Sequence, residues 1–163
     1  MRKIIGFHNP DETYGFLSNW YLSDFVINGI TFSSVEQYMM YEKAVLFGDN
    51  DVAAQILDTD NAGKIKALGR AVANYNDVIW NGMRQVIIYD GLMEKFCQNE
   101  ELKKMLLDTE DAILAECAVQ DRIWGIGCSM TDDKRFDIAQ WEGENLLGFS
   151  LMRVREKLLC HTM

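Results

Sequence analysis

The stretch SSVEQYMMYEKAVLFG, residues 33–48, is where the sequence turns helical, and it opens a succession of segments with the same periodicity. Ser33 and Glu36 match the S-x-x-E pattern of a capping box, in which hydroxyl and carboxylate satisfy reciprocal backbone donors, and Gly48 supplies a C-terminal stop. Further helices are expected at 51–57, at 61–72 and over a long span from about Asp77 to Cys97, where Ile79, Met83, Val86 and Ile87 recur at helical spacing. NEELKKMLLDT adds a short helix with Leu102, Met105 and Leu106 on one side. NLLGFSLMRVREKLL carries a clear stripe of Leu147, Leu151, Val154 and Leu158.

The β signal is smaller. KIIGF and DFVINGITF read as short strands, and Asn28-Gly29 between apolar runs matches the preferred two-residue hairpin turn, so a small antiparallel ribbon is expected. YGFLSNWYL between them reads as a loop or irregular strand. The run AILAECAV, from residue 112, reads as a strand by its length and turn-rich flanks, with DTED before it leaving a helical start open. A glycine-containing polar region spans 125–145. The fold class is mainly α with a small antiparallel β part (α+β). A length of 163 residues, 48% of them hydrophobic, suits one domain over 1–163, and one proline with no Gly/Ser-rich tract or repeat leaves no linker.

Several function classes are set aside. MRKIIGFHNPDE has too short an apolar run for an export signal, and windows such as VIIYDGLM are too short and too charged to cross a bilayer, which points to a cytoplasmic protein with no membrane partner. Cys97, Cys117, Cys128 and Cys160 are widely spaced, with only His8 and His161 to join them, so neither a zinc site nor a catalytic thiol is expected. A net charge of −9 disfavours a nucleic-acid partner, which a basic face usually holds, while leaving room for a small anionic ligand. No Walker, G-x-G-x-x-G, H-E-x-x-H or G-x-S-x-G signature occurs.

Subtler groupings remain. Glu36 and Lys43 are close to two helical turns apart, on one face and roughly 10 Å apart along the axis. Either a ligand lies between them, or Glu36 is the reciprocal partner of the cap and Lys43 a solvated charge. A carboxylate in the first turn is favoured in its charged form by the helix dipole, which suits a group that orients water or faces a sugar cation. In QDRIWGIG, residues 120–127, Asp121 and Trp124 precede Gly125 and Gly127; the indole is either a stacking face or a lid over the core. Arg70, Arg84, Arg122 and Arg155 offer charge for phosphates or for surface ion pairs. Trp80 reads as core on these grounds, and Tyr38 and Tyr41 bracket the Glu36 face to pack or to stack.

In order along the chain, YGFLSNWY, FSSVEQYMMYEKA, LGR, W...R, KFCQNEELKKMLLDT, D..WGIG and G.NLLG..LMRVRE resemble the NADAR superfamily, the YbiA-like proteins, from about residue 5 to 158. The resemblance implies a compact, mainly helical fold and a pocket for a ribosyl phosphate or ADP-ribose-like ligand. Its members act as N-glycosidases without a metal or other cofactor. One branch hydrolyses early phosphorylated ribosylamino-pyrimidine intermediates of riboflavin synthesis, and another removes ADP-ribose from guanine. Carried over by position, it places Asn19, Glu36, Lys43, Trp80, Asp121, Trp124, Gly125, Gly127 and Asn145 at or near the ligand. Glu36, Lys43 and Asp121 are then the catalytic candidates, and Tyr38 and Arg70 join the remaining residues as binding candidates. The implied activity is hydrolysis of the ribose C1–N bond in a small phosphorylated ribosyl compound. ADP-ribosyl hydrolysis at guanine in nucleic acid and a non-catalytic ADP-ribose-binding module are the alternatives. CSMTDDKRFDIAQWEGE, 128–144, is longer than in short-loop members and either covers the pocket or forms a solvated loop.

Overall fold

A computed structural model describes residues 2–160; His161 lies outside the described residues. In chain order the elements are β1 (Ile4–Phe7), β2 (Phe25–Ile27), β3 (Ile30–Phe32), α1 (Val35–Leu46), α2 (Asn50–Leu57), α3 (Ala62–Arg70), α4 (Asp77–Gln98), α5 (Glu100–Leu107), β4 (Ile113–Glu116) and α6 (Leu146–Cys160). The expected class, mainly helical with a small β part, is what forms. The chain packs as two units: the continuous stretch Asn19–Asn99, and a discontinuous unit joining the residues up to Ser18 to those from Glu100 onward.

The continuous unit is organised by α1, against which α2, α3 and α4 all pack. Each of these helices starts on a side chain that accepts a first-turn amide: Ser34 from Gln37, Asp49 from Val52, Asn61 from Lys64 and Asn76 from Ile79. Ser34, not Ser33, is therefore the cap of α1, and the expected Ser33–Glu36 box does not form. The β2–β3 hairpin is antiparallel as expected, with Asn28 and Gly29 both left-handed (φ 51° and 79°), as a type I′ turn requires. Beneath it in the core, Tyr38 meets both Phe25 and Phe32 edge to face. Of the four apolar residues read at helical spacing in α4, only Ile87 is buried; Ile79, Met83 and Val86 face outward. The inward face is instead Trp80, Ile87, Ile88, Gly91, Leu92, Lys95 and Phe96.

In the discontinuous unit β1 does not join an antiparallel ribbon. It pairs in parallel with β4, Ile4 opposite Ile113 through Phe7 opposite Glu116. Parallel partners need a long crossover, so no local turn signal announces the pairing. α6 packs against β4, with Gly148 so close that a Cβ would stand 2.1 Å from the Leu114 carbonyl oxygen. Buried Arg155 donates to Thr109 Oγ1 at 2.7 Å and to the Ala112 carbonyl at 2.8 Å, so it is committed to the scaffold. Cys117 and Cys128 sit in a cluster with Ala115 and Ile126, and burial pushes the Cys117 thiol up to about 12, which fits packing and not nucleophilic chemistry. Among the described residues no helix is long and apolar enough to cross a membrane.

Lys95 on α4 is fully buried, its ammonium 5.3 Å from the Tyr21 ring centroid and 5.2 Å from that of Phe96. Burial pulls its pKa from 10.5 down to about 7. Between those two values the unfolded chain keeps a proton that the folded chain has released, so this group makes stability rise with pH across that window. Below about pH 7 both states are protonated and the penalty is at its full, constant size. Lys95→Met is accordingly expected to be more stable than the parent at pH 7 by roughly 1–3 kcal/mol. Urea unfolding at pH 7 and pH 10 should show that gain shrinking toward the alkaline end.

Candidate active site

The first turn of α1 is closed by Gln37. Its Oε1 accepts from the Ser33 amide at 2.7 Å and from the Ser33 hydroxyl at 3.1 Å. Its Nε2 donates to the carbonyls of Ile56 at 3.0 Å and Thr59 at 2.8 Å. Ser34 and Gln37 thus take the places in the cap that Ser33 and Glu36 were expected to fill. Glu36 is nonetheless only 5% exposed. Its amide, one of the otherwise orphaned donors of a helix start, goes to the Asn19 carbonyl at 3.0 Å. Asn19 is buried too, and its Oδ1 has no hydrogen-bond partner among the described residues. A buried amide oxygen left unsatisfied costs about 1–3 kcal/mol, and such an atom suits a ligand donor.

Two turns along α1, Lys43 Nζ donates to the Gly69 carbonyl at 2.7 Å and lies 4.4 Å from the Tyr75 ring centroid and 5.4 Å from that of buried Trp80. Gly69 can supply that carbonyl because α3 comes close at this point: a Cβ there would meet Met40 Sδ at 1.9 Å. Burial lowers the Lys43 pKa, while the charges of Asp77 and Glu36 raise it. Asn19, Glu36, Lys43 and Trp80 thus belong to one connected neighbourhood. Tyr38 is placed in the aromatic core. Its ring is edge-on to Phe25 and Phe32 and pressed on Gly91 of α4, where a Cβ would stand 2.5 Å from it; burial first, then Glu42, Asp90 and Glu94, raises its phenol pKa. Arg70, at the end of α3, is exposed.

The remaining expected residues lie in the discontinuous unit, and the structure gives most of them architectural work. Asp121 Oδ1 accepts from the amides of Ile123 at 3.1 Å and Trp124 at 2.9 Å, so it orders the loop that carries the half-buried Trp124. Gly125 is wedged where a Cβ would lie 2.8 Å from the Asp121 carbonyl oxygen, and Gly127 is left-handed at φ 75° with Glu142 Cβ at 3.0 Å from its missing Cβ. The carbonyls of Ile123 and Trp124 receive the amides of Leu146 and Leu147, so the loop closes the N-terminus of α6. Asn145, fully buried and left-handed at φ 53°, accepts from the Glu116 amide at 3.0 Å and donates to the Leu114 carbonyl at 2.9 Å. Its side-chain amide stitches the edge of β4. Residues 128–144 contain two short 3-10 turns, started by Asp132 and Asp137, and Trp141 packs against the Cys117–Cys128 cluster with its indole donating to the Arg135 carbonyl at 3.0 Å.

Sequence reading passed over several groups. Tyr75 donates its phenol to Asp77 Oδ1 at 2.7 Å beside Lys43; the signal was Asn76, a good cap residue that fixes where α4 begins and hence where its neighbours point. Buried Glu116, at the end of β4, bonds His8 Nδ1 at 2.6 Å, a pairing that only the β1–β4 register creates. A cavity of about 560 Å³ in the discontinuous unit is lined by Lys3, Asp11, Tyr14 and Arg135 among others, and by none of the expected site residues. Among the described residues no group of three or more His, Cys, Asp or Glu is placed to hold a metal ion.

With this geometry in view, comparison with known proteins is informative. The family model of the NADAR domain matches residues 6–159. A protein of Acanthamoeba polyphaga mimivirus named N-glycosidase R617 is 37% identical over 163 residues, covering 95% of this chain and 96% of that one. The riboflavin biosynthesis protein VVA0006 of Vibrio vulnificus is 32% identical over 161 residues, covering 99% of this chain and 40% of that longer protein. The solution NMR structure of the Escherichia coli protein YbiA superposes with a TM-score of 0.82 at 26% identity, covering 99% of this chain and 88% of YbiA. The helix that carries Glu36 and Lys43, the W-G-x-G loop and the Asn145 stitch all fall inside the matched span, and the chain belongs to the NADAR domain family.

Proposed function

We propose that this chain is an N-glycosidase that hydrolyses the bond between ribose C1 and a base nitrogen in a small phosphorylated ribosyl compound, of the kind met early in riboflavin synthesis. The observation that carries this reading is Glu36: a buried carboxylate in the first turn of α1 whose charge acts on Lys43 two turns along the same helix. The name of the mimivirus relative supports the activity, and that of the Vibrio relative supports the substrate class.

As the base departs with the bonding electron pair, positive charge builds on C1 and the ring oxygen. A carboxylate fixed nearby in a water-poor site lowers the energy of that cation and directs the water that adds to C1, giving the free sugar and, after proton transfer, the neutral base. Asn19 Oδ1, buried and without a donor among the described residues, suits a ribose hydroxyl. Asp121 orders the loop that carries Trp124. Lys43 has two chemically distinct uses: an ammonium that pairs with phosphate or hydroxyl, or a free amine that attacks C1 as the base leaves, the C1–ring oxygen bond then opening and nitrogen losing its proton to give a Schiff base that water hydrolyses. Burial at Lys43 enlarges the free-amine fraction. The net charge of −9 disfavours a polynucleotide as the natural substrate.

Glu36→Gln keeps the shape and removes the charge, so turnover is expected to fall by about 10²–10⁴-fold while ligand binding, read by calorimetry, persists. Undiminished turnover in Glu36→Gln would remove the carboxylate from the reaction. Borohydride reduction during turnover decides the use of Lys43: a covalent adduct found by mass spectrometry and absent in Lys43→Ala marks the nucleophile, whereas turnover without adduct marks a phosphate contact. A panel of riboflavin-pathway intermediates, NAD, ADP-ribose and ADP-ribosylated guanine is expected to show base release from the first group. Release only from modified guanine would reassign the substrate, and ADP-ribose binding without any hydrolysis would identify a non-catalytic module.

A further inference from the structure

Lys43 is held by more than its own helix. The segment after α3 runs back past it, pinned at Ala73, whose amide donates to Asp49 Oδ2 at 2.8 Å, and at Asn76, the cap of α4. Between those pins Asn74 is left-handed (φ 57°), and Tyr75 follows with its ring against Phe47 at a centroid distance of 5.4 Å and 4.4 Å from Lys43 Nζ. Tyr75 is 44% exposed, an unusual place for a ring to be fixed at so many points. Its hydroxyl is tethered in turn to Asp77 at 2.7 Å.

We propose that Tyr75, tethered by Asp77, is a positioning residue that holds the Lys43 amine against the Gly69 carbonyl through its ring face. The inference rests on Lys43 being part of the reactive site. The Gly69 carbonyl accepts a hydrogen bond from the ammonium, the rings of Tyr75 and Trp80 present their negative faces to it, and the amine is kept in one place instead of sweeping through solvent. The charged groups that act on this arrangement are Glu36 from α1 and Asp77 and Arg84 from α4, while α3 contributes the Gly69 carbonyl dipole. Asp77 acts twice, as the anchor of the Tyr75 hydroxyl and as a carboxylate favouring the charged form of Lys43.

The test reads Lys43 itself and needs no turnover. The pH dependence of acetylation by dilute acetic anhydride is followed by peptide mass spectrometry on the full chain, with exposed Lys64 as internal standard. Tyr75→Leu keeps apolar cover but removes the ring face, and the Lys43 midpoint is expected to fall by ~0.5 pH unit, with faster labelling relative to Lys64 near neutral pH. Tyr75→Phe keeps the ring and should stay closer to the parent. Asp77→Asn should also lower the midpoint, because it removes the carboxylate and the tether. A midpoint unchanged or raised in folded Tyr75→Leu overturns the proposal; if that variant does not fold, an unchanged midpoint in Asp77→Asn overturns it. Absence of hydrolysis on every compound of the panel would count against the N-glycosidase reading alone, since the labelling shift is measured independently of it.

Discussion

The helix that carries Glu36 and Lys43 takes its character from how its first turn is closed. A helix start leaves several amides without partners, and an acidic residue in that turn ordinarily serves them. Here Ser34 takes one, the Asn19 carbonyl takes the Glu36 amide itself, and Gln37 reaches back to Ser33 while its other end spans to the end of α2. The Gln37 amide uses both protons and both acceptor directions of its oxygen, so it acts as a complete bracket. The consequence is a carboxylate in the first turn that stands outside the Ser34–Gln37 cap, kept out of water and electrostatically linked to a lysine two turns away. Move the cap by one residue and the same Glu36 becomes a scaffold group.

That one-residue shift also marks the limit of what could be read from the residues alone. Ser33-x-x-Glu36 and Ser34-x-x-Gln37 are equally good capping patterns, and only the chain's approach through Asn19 chooses between them. Where the signal is local, the elements come out as expected: the Asn28-Gly29 turn, the helix periods and the α+β class. Where two distant segments decide, they do not. The parallel β1–β4 pairing joins residues more than a hundred positions apart, and nothing in KIIGF names its partner. On α4, spacing identified the helix but not its inward face, because Ile79, Met83 and Val86 satisfy the period and still face outward.

The site shows the same division. Glu36 and Lys43 were visible as a pair because one helix fixes their spacing. Tyr38 has the same helical logic and ends in the aromatic core, since Phe25 and Phe32 arrive from the hairpin to meet it. Asn145 and the glycines around Trp124 follow a different rule: backbone passes too close to the glycines for other side chains, and a strand edge takes the Asn145 amide. Tyr75 and Asp77 went unread because each is an ordinary residue, and their importance arises from the carbonyl, rings and amine that the helix crossings bring beside them.

The connectivity of the two units sets an order on synthesis. Asn19–Asn99 is one uninterrupted stretch, whereas β1 finds its partner only in β4, at Ile113–Glu116. A chain emerging from the ribosome from its N-terminus can complete the bracket on α1 while β1 is still a lone strand with both edges unpaired. During that interval the opening residues are the part of the nascent chain most open to wrong partners, and the helix bearing the glutamate and the lysine is already in place.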